Sequence, residues 1–170
     1  MKKFIYFLVI FLAFIIQSTF FNAISIIGVK PNLMLVTAIA IGFLKGEYDG
    51  LFTGCVAGLF HDCFFSTYIG GNLFLYGFTS FMIGVICKEY YKENAITPMF
   101  VMMIATFVFE FGNYVLNVLL RGFTNVGYYM FIRIIPEIVC NCFLMIFVYM
   151  LVFAINNRLE KKIRHKRKVF

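Results

Sequence analysis

The chain has 170 residues, of which 62% are hydrophobic and 14% charged, with a mean hydropathy of +0.91. Water-soluble domains carry about a quarter charged residues, so a soluble fold is excluded, and little length remains for a soluble catalytic domain beside six helices of about 20 residues. The formal charge of +7 does not indicate nucleic acid: seven of the fifteen Lys and Arg lie between Arg158 and Lys168, a basic tail that fits anionic lipid beside an apolar span, with no base-stacking fold to accompany it.

In chain order, Met1-Lys2-Lys3 precedes an apolar run over 4–23. The run exceeds the ~7–15 residues of a signal-peptide core, and Phe20-Phe21-Asn22 offers no small-x-small cleavage site, so it reads as an uncleaved first span. Further runs cover 31–44, 50–65, 73–87, 97–120 and 128–155. The first, fifth and sixth reach the ~20 residues that cross ~30 Å of hydrocarbon. The three shorter ones are spans buried among longer helices, or the second and third form a re-entrant hairpin, which needs protein around its backbone. The expected fold is all-α: a polytopic membrane protein with one six-helix transmembrane domain over 1–156 and a basic tail over 157–170.

Positive charge orients it. With the start inside, Lys2, Lys3, Lys45, Lys88, Lys92 and the seven tail cations are cytoplasmic, against Lys30, Arg121 and Arg133 outside. Such a bias places both termini in the cytoplasm and requires an even number of spans. Pro31 and Pro98 suit helix starts, with Thr97 as an N-cap before Pro98. Pro136 falls inside the last span and is expected to kink it.

The third span carries Gly46, Gly50, Gly54 and Gly58 at intervals of four, continued by Asp62. Such glycines form a ridge bare of side chains that lets another helix approach closely. The ridge serves packing within the chain, or Gly50, Gly54 and Gly58 receive a partner's helix. The fifth span places Thr106, Glu110, Asn113 and Asn117 on one stripe, and the sixth places Arg133, Glu137 and Asn141 on another. Charges in a bilayer centre cost at least ~2.5–3.5 kcal/mol, so both stripes are expected to face the interior or a partner. Glu110 is expected to meet the Arg133–Glu137 pair across a helix interface, and Asp62, Glu110, Asn113, Arg133, Glu137 and Asn141 form the expected polar core.

His61 beside Asp62 has no second imidazole nearby and does not make a metal site. Cys55, Cys63, Cys87, Cys140 and Cys142 form no CxxC pair and read as small hydrophobes. No HExxH, GxSxG or phosphate-cradling GxxxxGK[ST] is present, so no enzyme and no cofactor are indicated.

Taken in order, Gln17-Ser18-Thr19, Gly28-Val29-Lys30-Pro31-Asn32-Leu33, Gly58-Leu59-Phe60-His61-Asp62, Gly70-Gly71-Asn72-Leu73, Glu110 and Arg133-Ile134-Ile135-Pro136-Glu137 with Asn141 resemble the bacterial rod shape-determining MreD family. The resemblance implies a non-enzymatic component of the elongation machinery in the cytoplasmic membrane. Its implied partners are the bitopic protein MreC, the actin-like MreB, and the glycan polymerase and transpeptidase of lateral wall synthesis. It also implies a fold similar to the substrate-binding components of energy-coupling-factor vitamin transporters. The first span holds Ala13 but lacks their AxxxA series, and position 32 is Asn where the wall-protein pattern often has Asp. Two other roles fit the polar stripes: the lining of a small-molecule site in a transporter, and an ion or proton path through Glu110 and Asp62.

Overall fold

A computed structural model describes residues 2–21, 30–66, 69–88, 96–118, 127 and 130–168, with side chains placed for 3–19, 30–66, 69–88, 96–116, 127 and 130–158. Gly28-Val29, Lys92, Arg121, the Asn117 side chain and the tail side chains past Arg158 lie outside these. Six helices and no strand occur among the described residues. They are α1 (Lys2–Ile16), α2 (Leu33–Lys45), α3 (Glu47–Phe65), α4 (Gly71–Ile86), α5 (Ile96–Asn113) and α6 (Ile135–Lys168). Wider π-helical turns continue α1 over Gln17–Phe21 and α5 over Tyr114–Val118, and another precedes α6 over Met130–Ile134.

The centre is α2. Its sequence is apolar on every side until Lys45, the pattern of a helix with no solvent face, and Leu33 to Leu44 are all buried. It touches α1, α3, α4, α5 and α6. At 1.5 Å per residue its 13 residues reach about 20 Å, short of ~30 Å of hydrocarbon. Enclosure by its neighbours keeps the backbone groups at its ends away from lipid.

The exterior is the reverse. Large apolar side chains stand exposed along α1 (Phe4, Leu8), α5 (Phe100, Ile104) and α6 (Phe143, Phe147). Two segments, Ile96–Leu116 and Met130–Arg158, are long and apolar enough to cross a membrane. Aromatic rings join α1 to α3, with Phe14 centred 4.8 Å from Phe64 and 5.3 Å from Phe60.

Two local expectations change. Gly46 is not on α3: with φ at 97° it forms the left-handed junction between α2 and α3, a conformation that favours glycine. Thr97 does not precede α5 but lies within its described range, Ile96–Asn113. Pro136 lies inside the helical segment Met130–Arg158, where the wide turn Met130–Ile134 passes into α6, an irregularity of the kind that accompanies a proline.

Candidate functional site: a glycine seam and two capped helix starts

A glycine seam fixes the helices that carry the polar groups. Gly50, Gly54 and Gly58 on α3 are buried against α4 of the same chain. A Cβ added at Gly50 would lie 2.7 Å from the Ser80 carbonyl oxygen and 2.8 Å from Gly42 Cα on α2. At Gly54 it would meet the Tyr76 carbonyl oxygen, with Gly77 Cα at 2.9 Å, and at Gly58 it would lie 2.5 Å from Leu73 Cα. Every neighbour named is backbone, which cannot swing aside. Farther along, a Cβ at Gly84 would sit 2.6 Å from Glu47 Cα. Gly42 and Gly84 are therefore the members of the seam that the spacing on α3 did not reveal. The docking face expected at Gly50, Gly54 and Gly58 is occupied by α4, so a partner's helix would have to displace it.

Asp62 closes one end of this seam. A helix leaves its first N–H groups without partners inside the helix, and Gly70, which precedes α4, has no side chain to cap them. The Asp62 carboxylate reaches across from α3 instead. Oδ2 accepts from Gly70 N at 2.7 Å and Leu73 N at 3.0 Å, and Oδ1 accepts from Asn72 N at 3.2 Å and Asn72 Nδ2 at 2.9 Å. Its negative charge sits at the positive end of the α4 dipole. Asn72 Nδ2 also donates to Ser66 Oγ at 2.7 Å.

The start of α2 is capped by three residues. Asn32 Oδ1 accepts from Leu35 N at 3.0 Å, an N-cap in its ordinary form. Gln17 Oε1 from the end of α1 accepts from Met34 N at 2.9 Å. Asn141 Oδ1 from α6 accepts from Asn32 N at 2.9 Å. Asn32 Oδ1 also accepts from Tyr76 Oη on α4 at 2.8 Å, and Asn141 Nδ2 donates to Thr106 Oγ1 on α5 at 3.4 Å. Asn32 thus needs no charge to act: it ties α2 to α4 and α6 as a neutral group. A helix that starts inside an apolar bundle has no water to satisfy its first amides, which explains why polar residues of three other helices converge there.

Beside this cap, Arg133 Nε stands 3.8 Å from Glu110 Oε2. Glu110 and Glu137 are buried, and Glu137 lies within electrostatic reach of both Glu110 and Arg133. Glu110 of α5 thus meets Arg133 of the turn before α6, while the Arg133 side chain, expected to face the interior, is 61% exposed. Asn113 ends α5 half-buried. His61 lies over Tyr76, ring centroids 5.6 Å apart, with Nδ1 3.4 Å from Ser66 Oγ. Gln17, Asn32 and Tyr76 are the site residues that the stripes on the fifth and sixth spans missed. A lone Gln in an apolar run and an Asn directly before one were the available signals.

At the opposite end of the bundle an open cleft of about 390 Å³ is lined by Lys45, Gly46, Glu47, Tyr48, Asp49 and Lys88. Lys88 Nζ pairs with Glu47 Oε1 at 3.2 Å. The Glu47 carboxyl is held below its ordinary value first by its own backbone N–H and then by Lys88.

A bundle of six helices with an apolar exterior, a buried central helix and inward-turned polar groups defines a helical membrane protein. The family model for rod shape-determining protein MreD matches residues 1–159, and the chain belongs to that family. Its role is accordingly that of a membrane protein that determines rod shape. Comparison with curated proteins and with solved structures returns no match.

Proposed function

We propose that the chain is a non-enzymatic scaffold of the bacterial elongation machinery, crossing the cytoplasmic membrane six times with both ends in the cytoplasm. It binds an MreC-like bitopic protein and helps organise lateral peptidoglycan synthesis with MreB, the glycan polymerase and the transpeptidase. The family match over 1–159 carries this reading. The interior supports a scaffold over a transporter's binding component, because Asp62, Asn32, Asn141 and Gln17 are engaged in capping helices of the chain itself. Likeness to energy-coupling-factor components belongs to the proposal at the level of architecture only.

With α4 on the glycine ridge, a partner's helix meets the apolar outer faces of the bundle, and the basic tail meets anionic lipid. Glu110, Asn113, Arg133, Glu137 and Asn141 hold α5 and α6 in register on α2. Depletion in rod-shaped cells is expected to round them, and the tagged protein is expected to retain MreC on purification. Cells that stay rods, with no MreC retained and a small molecule raising the melting temperature of the pure protein, would favour the transporter role instead.

A further inference from the structure

The Arg133 side chain is 61% exposed although Glu110 engages its Nε. The residues beside it in sequence are apolar and exposed: Phe131 at 74%, Ile132 at 50% and Ile135 at 47%. A guanidinium among lipid-facing side chains is costly in hydrocarbon, so its depth decides what it meets. The polar end of the last span begins at Asn156. Counting back the ~20 residues that fill ~30 Å places the other edge of the hydrocarbon near Pro136, with Arg133 in the turn Met130–Ile134 just beyond it. That is the headgroup layer, where phosphate is the abundant anion and arginine matches it with a planar fork of donors.

We propose that Arg133, held from behind by Glu110, is a phospholipid-phosphate site at the end of the bundle opposite the basic tail. The inference rests on α5 and α6 crossing the bilayer and is independent of the elongation role. Glu110 aims the guanidinium, Arg133 supplies the donors, and the exposed Phe131, Ile132 and Ile135 border the acyl chains. The source of the phosphate is a lipid of the adjoining leaflet.

The test uses the full chain in a neutral detergent, with melting temperature and lipid retained in native mass spectrometry as readouts. Phosphatidylglycerol is expected to raise the melting temperature, because a ligand of the folded state alone stabilises it. Diacylglycerol with the same chains, and inorganic phosphate at the same concentration, are expected to raise it less. Arg133→Gln is expected to lose at least half of the phosphatidylglycerol increment. The basic tail is the same in both proteins, so the difference belongs to Arg133. Ile132→Glu, which adds a negative charge at the adjacent exposed position, repels the phosphate and leaves the Glu110 pair in place, is expected to lose a similar share and serves if Arg133→Gln does not fold. A full increment in the folded variants, or an equal rise with diacylglycerol, overturns the site. An equal rise with inorganic phosphate overturns the lipid as its ligand.

Discussion

Gly54→Leu is expected to prevent recovery of a folded, monodisperse protein, or to lower its stability by about 3 kcal/mol or more, in the purified chain with no partner present. Overpacking a filled interior costs about 1–3 kcal/mol where side chains can move. Here the Leu Cβ meets the Tyr76 carbonyl and the Gly77 backbone, and displacing them means separating α3 from α4. Gly54→Ala is expected to cause a loss of the same kind, because the first carbon already collides. Gly71→Ala is the control: nothing lies within 4 Å of a Cβ there, and the change is expected to stay within about 0.5 kcal/mol. Thermal unfolding in detergent, followed by size-exclusion profile and circular dichroism, distinguishes the variants. A Gly54→Leu protein that melts like the wild type would mean that α3 and α4 are not in contact along this seam.

Asp62→Ala is expected to cost about 3 kcal/mol or more. Loss of an N-cap alone costs about 0.5–2 kcal/mol, and a buried donor left without its acceptor costs about 1–3 kcal/mol. The carboxylate serves three backbone N–H groups and the Asn72 amide. Asp62→Asn retains one acceptor oxygen and loses the charge that faces the α4 dipole, so its loss is expected to fall between wild type and alanine. Equal melting temperatures for wild type and Asp62→Ala would remove the cap from the account of this residue.

The outlines of the helices were legible because a membrane protein writes its burial as long apolar runs. The inward turn of Asp62, Glu110, Glu137 and Asn141 was legible for the same reason, since the bilayer penalises charge and unpaired polar groups wherever they lie along a span. Their partners were not. Asn141 bonds to Asn32 across 109 residues of sequence, and nothing local to either position encodes that distance. A glycine spacing on α3 reports that some backbone comes close, without saying whose. That α4 fills the place, with Gly42 and Gly84 contributing from other helices, follows from the order in which the helices surround α2. Gly46 fitted the interval of four and belonged instead to a turn, because spacing carries no information on φ. Asn32 stands where the family pattern often has Asp, and its neutral carboxamide satisfies both Leu35 N and the Tyr76 hydroxyl.

The polar residues inside the bundle satisfy the first amides of α2 and α4. Open helix ends exchange their first-turn amide hydrogens readily, and bonded interior ones do not. Site-resolved hydrogen exchange on the detergent-solubilised chain is expected to find Met34, Leu35, Gly70, Asn72 and Leu73 as protected as amides in the middle of α2. In Asp62→Ala the protection is expected to be lost at Gly70, Asn72 and Leu73 while Met34 and Leu35 keep theirs. Rapid exchange at all five amides in the wild-type protein would contradict the claim.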